Sequence, residues 1–163
     1  MRFSFILILI ALISCKSQEK VVKTDPSKQE EISFKVIKTG TNSGYNELTN
    51  IQVYAQRGLE IVWDTLTMNF IGEKSLPIVD WKTKQLFLAT MGEKRTGGYT
   101  IKITSVFETK KNIIINLEES KPGKTCMTTS ALTYPYQLIE LKRFPVKKKV
   151  IYVRNDRIYE CEK

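Results

Sequence analysis

Tyr99-Thr100-Ile101-Lys102-Ile103-Thr104-Ser105-Val106-Phe107, the break Glu108-Thr109-Lys110-Lys111, and then Asn112-Ile113-Ile114-Ile115-Asn116-Leu117-Glu118 form the stretch from which the fold follows. Apolar and polar residues alternate with period two, the spacing at which a strand turns one face to a core and the other to water. Tyr99, Ile101 and Ile103 fall on one face, with Thr100, Lys102 and Thr104 on the other. Ile113, Ile115 and Leu117 repeat the pattern. The polar break between the runs fits a hairpin connection, so the two are expected to pair antiparallel.

Working outward, similar short runs occur at Ser33–Lys38, Ile51–Ala55, Gln85–Thr90, Tyr136–Lys142, Lys149–Val153 and Arg157–Cys161. The last two flank Arg154-Asn155-Asp156, a turn-compatible triplet that predicts a second hairpin at the end of the chain. One helix is predicted over Arg57–Met68, where Leu59, Val62, Trp63 and Leu66 stand at the spacing of a single helical face. Trp63 lies inside that stripe and reads as core filler. The expected fold is mainly β, an antiparallel sandwich-like domain with one packed helix; an α+β open sheet with a helix layer is the alternative.

A chain of 163 residues is long enough for one domain around a core. A hydrophobic content of 42% with 26% charged residues sets aside both a wholly disordered chain and a multispan membrane protein. The formal net charge of +9 favours nucleic acid, anionic membrane surface or acidic proteins as partners.

The first fifteen residues narrow that choice. Arg2 is a minimal positive n-region, Phe3–Ile13 is an apolar run interrupted by Ser4, and the small Ser14 precedes Cys15. This is the order of an export signal. The run of eleven falls short of the ~20 residues that a membrane-crossing helix requires. Leu12-Ile13-Ser14-Cys15 resembles the lipobox of bacterial lipoproteins, which implies cleavage before Cys15 and attachment of acyl chains such as palmitate to it. Anchoring by several acyl chains is stable. Lys16–Glu31 mixes both signs of charge with Pro26 and few apolar residues, a composition that suits a tether with a reach of roughly 20 to 25 Å as a coil. The expected organisation is a signal peptide at 1–14, a lipid-anchored tether at 15–31 and one β-rich domain at 32–163. The expected location is the bacterial cell envelope, lipid-anchored at the outer membrane, with the side left open. Export removes nucleic acid from the partners and leaves the lipid bilayer and envelope proteins.

Catalysis finds little to build on. The sequence contains no histidine, the commonest general base and zinc ligand and the partner in Ser-His and Cys-His dyads. Glu30-Glu31 and Glu118-Glu119 are adjacent pairs, whose carboxylates point apart on an extended chain. Neither a nucleophile elbow nor a phosphate-binding glycine loop is present. The expectation is a protein that is not an enzyme, with no catalytic residue, metal or cofactor.

Four other features stand out. With Cys15 acylated, Cys126 and Cys161 are the remaining thiols in an oxidising envelope; a disulfide is one reading, and two separate buried thiols the other. Thr96-Gly97-Gly98-Tyr99 places two glycines before a strand, a tight turn and also a candidate interaction loop. Tyr134-Pro135-Tyr136 is a second candidate for interaction; its proline, which cannot donate to a ladder, predicts an edge position or a bulge, with a cis bond as an option. Lys142, Arg143, Lys147, Lys148, Lys149 and Arg154 have no acid between them, as in a solvated edge or a surface for anionic headgroups.

Gly92–Val106 (GEKRTGGYTIKITSV), Pro122-Gly123 and Cys126–Leu141 (CMTTSALTYPYQLIEL) together resemble the carboxy-terminal domain of the PrcB family, named for a subunit of a spirochaete surface protease complex. Ser43-Gly44-Tyr45, Trp63-Asp64-Thr65-Leu66 and Leu76–Trp81 are similar to weaker upstream features, so the likeness runs over about Ile32–Lys142. The resemblance implies a non-catalytic lipoprotein accessory that associates with a partner protease. Two alternatives stand beside it. Thr96-Gly97-Gly98-Tyr99 is similar to the Thr-Gly-aromatic loop of chagasin-type cysteine-protease inhibitors, which an exposed loop beside two others would favour. A small-ligand or envelope-polymer binding module would need a pocket lined by Tyr134, Tyr136 and Trp81.

Overall fold

The computed structural model describes residues 29–72 and 75–162. The expected signal peptide, Cys15 and the tether through residue 28 lie outside the described residues. In chain order the elements are β1 (Glu30–Glu31), β2 (Phe34–Gly40), β3 (Asn50–Val53), α1 (Gln56–Thr67), β4 (Lys84–Thr90), β5 (Thr100–Glu108), β6 (Asn112–Pro122), β7 (Tyr136–Lys142) and β8 (Lys149–Tyr159). They form two four-stranded sheets, ordered β1-β5-β6-β8 and β2-β7-β4-β3. The fold is the mainly β sandwich with one packed helix that the alternation predicts.

Three layers require two cores. Between the sheets lie Ile101, Ile103 and Val106 of β5, Ile113, Ile115 and Leu117 of β6, and Phe87, Ala89, Ile139 and Leu141 of β4 and β7. On the other side of β4 and β7, Leu86, Leu88, Tyr136 and Leu138 pack against Leu59, Val62, Trp63 and Leu66 of α1. The helical stripe is therefore the one read from sequence. Lys38 reaches over the Trp63 ring from β2, 5.4 Å from its centroid, and closes the margin of this second core. Strand β1 occupies residues expected in the tether: Glu30 and Glu31 pair with Glu108 and Phe107 of β5. Backbone pairing does not require an apolar side chain, and Ile32, 5% exposed, follows at once into the core.

Two local expectations are overturned. The carboxy-terminal hairpin does not form: Lys149–Tyr159 is one strand, parallel to β6. β8 begins beside Asn112, where β6 also begins, after only the short connection 143–148 from β7. A parallel course results. The turn-forming triplet is held in the ladder by side chains of its neighbour, with Arg154 against Glu119 and Asp156 2.5 Å from Lys121. Pro135 is likewise not on an edge strand. It is buried and precedes β7, which lies between β2 and β4. Outside the ladder it need not donate, and its carbonyl accepts from Met91 N at 2.9 Å. No peptide bond among the described residues is cis.

Polar side chains link the layers. β5 carries a bulge at Thr104, where the register to β6 shifts between Ile103 and Ser105, and a bulge disrupts the ladder locally. The Ile103 N–H turns to the other sheet and donates to Gln137 Oε1 of β7 at 2.7 Å, within the core. Arg154 makes a second link: besides Glu119 it donates to Asn50 Oδ1 at 2.7 Å and to Thr90 O at 3.3 Å. At the opposite end Glu108 accepts from Lys142 at 2.8 Å and from Lys148. Burial pushes the Glu108 carboxyl up, but the two ammonium groups outweigh it and hold the group below its ordinary range.

Replacing Gln137 by Leu keeps the volume but leaves a buried N–H without an acceptor. It should cost about 1 to 3 kcal/mol in urea unfolding, whereas Thr39→Val on the neighbouring strand should cost less than Gln137→Leu. For Glu108→Gln the expected loss at pH 7 is about 1 to 2 kcal/mol, discounted for the half-exposed Lys142. A depressed carboxyl contributes stability above its unfolded value of about 4.3 and loses that contribution as pH falls through the lower folded value. The difference between Glu108→Gln and the parent should therefore shrink between pH 5 and pH 2.5, as read by urea midpoints.

Candidate functional site

The strands give the domain two unlike ends. At one end lie Thr90, Thr100, Pro122 and Tyr136, and with them the connections 41–49, 91–99 and 123–135. At the other lie Lys84, Glu108, Asn112 and Lys142. Strand β4 alone has seven residues, so the ends are at least about 20 Å apart.

At the first end the connections are laced together by backbone. Lys94 and Thr133 exchange hydrogen bonds at 2.8 and 2.9 Å, Gly97 N donates to Thr129 O at 3.0 Å, and Thr133 Oγ1 donates to Thr96 O at 2.9 Å. Connection 41–49 joins through Glu93 N to Asn46 O and Tyr134 N to Thr41 O, at 2.9 and 2.7 Å. Ser43 is fully buried and donates from Oγ to Tyr134 O at 3.0 Å. The Tyr134 hydroxyl donates to Glu93 at 3.0 Å, and this bond raises the phenol above its ordinary range.

The two adjacent glycines are explained by these approaches. A Cβ on Gly97 would stand 2.5 Å from Thr129 Oγ1. Gly98 has φ +88° and presents its carbonyl to the Tyr159 hydroxyl, which donates at 2.8 Å. The double glycine therefore serves a tight turn, and the turn is also at the surface: Gly98 and Arg95 are exposed and Gly97 is not in a strand. Thr96 is half-buried, with its carbonyl already engaged. Tyr99 packs against the core between the sheets.

Connection 123–135 is held at its root as well. Cys126 and Cys161 form a disulfide with Cα atoms 4.8 Å apart. Beside it Glu160 accepts from Thr125 N at 3.1 Å and Thr125 Oγ1 at 2.7 Å, which holds its carboxyl below the usual range. Between the disulfide and Thr133, residues 127–132 are exposed throughout, with Met127 at 101% and Leu132 at 54%. An exposed segment with both roots fixed is pre-ordered for contact, which lowers the entropy cost of binding. These residues were missed as a site in the sequence because Met-Thr-Thr-Ser-Ala-Leu has neither charge nor periodicity; its bracketing by Cys126 and the Tyr-Pro-Tyr motif was the available signal.

The other sequence candidates separate. Tyr136 is buried in the helix-side core, with Gly40 against its ring. Trp81 lies at the far end, where its Nε1 donates to Gln56 at 3.1 Å and its carbonyl accepts from Arg143. Tyr134, Tyr136 and Trp81 therefore line no common pocket. No group of three or more His, Cys, Asp or Glu among the described residues could hold a metal, and no described helix is long and apolar enough to cross a membrane.

Residues 86–142 match the family described as PrcB C-terminal. The match runs from β4 through β7 and takes in two of the three laced connections, 91–99 and 123–135. It ends at Lys142, where the resemblance read from sequence also ends. Ser43-Gly44-Tyr45, Trp63–Leu66 and Leu76–Trp81 fall outside it, as does β8. No curated protein and no solved structure matches the chain.

The disulfide closes a separation of 35 residues, for which the chain-entropy relation gives about 3 to 4 kcal/mol. Cys126→Ser with Cys161→Ser should lower thermal stability accordingly. The parent, denatured without reductant, should show no free thiol from this pair in an Ellman titration, and the double variant should leave the sheet signature in far-UV circular dichroism intact.

Proposed function

We propose that this protein is a non-catalytic, lipid-anchored envelope protein that serves as an accessory subunit of a protease complex, with the laced end of the sandwich as its contact surface. The observation that carries the reading is the overlap of the PrcB C-terminal match with the two interlocked connections. A PrcB-like segment that devotes its backbone hydrogen bonds to fixing an exposed loop is arranged for binding a protein. The lack of histidine in the sequence agrees with a non-catalytic part. Anchoring rests on the lipobox-like Leu12–Cys15, which supports a location in the envelope alongside such a partner.

A second reading, protease inhibition, is favoured by one observation: Gly97-Gly98 lies at the surface of a sandwich end beside connections 41–49 and 123–135. It differs in outcome, since an inhibitor abolishes the activity of its partner while an accessory subunit preserves or raises it.

Affinity purification of the tagged protein from detergent-solubilised envelopes, followed by mass spectrometry, should recover a protease at near-stoichiometric yield. Met127→Asp with Leu132→Asp should reduce that recovery at least about tenfold while leaving the circular dichroism spectrum unchanged. Recovery without any protease, or a partner equally retained by the double variant, would overturn the proposal. A recovered protease whose peptide hydrolysis is silenced by the purified protein would favour the inhibitor reading.

A further inference from the structure

The end opposite the laced connections carries a different kind of surface. Around the β5–β6 turn and the β7–β8 connection it gathers Lys82, Lys84, Lys110, Lys111, Lys142, Arg143, Lys147, Lys148 and Lys149, against the carboxylates Glu30, Glu31, Asp80 and Glu108. The laced end shows no such excess: Lys94, Arg95 and Lys124 stand against Glu47, Glu93, Glu160 and Glu162.

Part of the basic set is occupied internally. Lys142 and Lys148 pair with Glu108, and Arg143 donates to the Trp81 carbonyl. Lys110, Lys111, Lys147 and Lys149 are exposed and make no ion pair with the described residues. The two pairs are adjacent in space, since Lys149 N donates to Lys111 O at 3.0 Å and Lys149 is the partner of Asn112 in the β6–β8 ladder.

The same end is where the chain enters the domain. β1 runs antiparallel to β5 with Glu30 opposite Glu108, the last residue of β5, so β1 starts at the basic end. Thirteen residues separate Cys15 from Gln29; treated as a coil they reach about 20 Å, and fully extended about 45 Å. For the laced end to meet the bilayer, that segment would have to run back along the full length of the sheets. The basic end is within its reach without such a course.

We infer that Lys110, Lys111, Lys147 and Lys149 form a docking face for anionic phospholipid headgroups, which sets the domain upright on its membrane with the laced connections pointing away. This rests on the anchoring at Cys15 proposed above. Each lysine close to an anionic surface strengthens association by about fivefold at low salt, and the effect fades as the Debye length shortens. The orientation gives the anchor a structural purpose: it presents residues 127–132 to partners in the envelope space.

The test uses the mature, full-length lipoprotein reconstituted into phosphatidylcholine vesicles with and without a third of phosphatidylglycerol. Vesicle flotation reads attachment, and amine-reactive footprinting with mass spectrometry reads each lysine. Flotation with both vesicle types is expected. With phosphatidylglycerol the reactivity of Lys147 and Lys149 should fall at least about threefold relative to Lys124 at the laced end. The protection should disappear at 0.5 M NaCl and be weakened in Lys110→Glu with Lys111→Glu. Flotation with both types but equal reactivity at the two ends would overturn the docking face and leave the anchor standing. Flotation with phosphatidylglycerol vesicles alone would overturn the anchor and sustain the basic face, and flotation with neither would overturn both.

Discussion

Strands β4 and β7 are buried on both faces, and the rest of the domain is arranged around that constraint. A strand covered on one side needs only every second residue to be apolar; one covered on both sides exposes none. In β4, residues Gln85–Thr90 are all buried, and in β7 so are Tyr136–Ile139 and Leu141. One set of alternate residues meets β5 and β6, and the other meets α1. Neither core would be closed without the other, because the sheet that separates them has no solvated face along these two strands.

Two-sided burial also explains the polar residues in the middle. Gln137 and Gln85 sit on the inner face of this sheet, 6% and 1% exposed; Gln137 accepts from the Ile103 N–H at the bulge of the other sheet, and Gln85 from the Phe144 N–H in the connection after β7. A bulge in one sheet is thereby satisfied by a side chain of the other, which fixes the two layers in one register. Arg154 does the same at the margin with Glu119, Asn50 and Thr90. A buried polar group left without such a partner is costly, so these bonds penalise other arrangements of the layers.

The two ends of this framework differ in kind. The two connections that carry the PrcB C-terminal likeness are at one end, tied to one another by backbone and to the carboxy-terminal strand by a disulfide. The excess positive charge and the incoming chain are at the other end. One end carries Met127 and Leu132 exposed on a segment with both roots fixed, and the other carries the excess of lysines. The core between them holds the two at a fixed spacing.

The sequence by itself determined most of the strands and the helix, because these depend on short-range periodicity. Ile101/Ile103, Ile113/Ile115/Leu117 and Leu59/Val62/Trp63/Leu66 were legible as buried faces for that reason, and the match of residues 86–142 was legible in the glycine-tyrosine and Tyr-Pro-Tyr motifs. What only the tertiary structure decided depends on partners distant in the chain. Asn155-Asp156 has turn chemistry locally, yet Lys121 and Glu119 across the ladder hold it and Arg154 in a strand parallel to β6. Pro135 looked like an edge residue, yet it stops just short of a central strand. A binding module would need Trp81 and Tyr134 in one pocket, yet the length of β4 lies between them. Local patterns encode which face of an element is buried; they do not encode which element arrives to cover it.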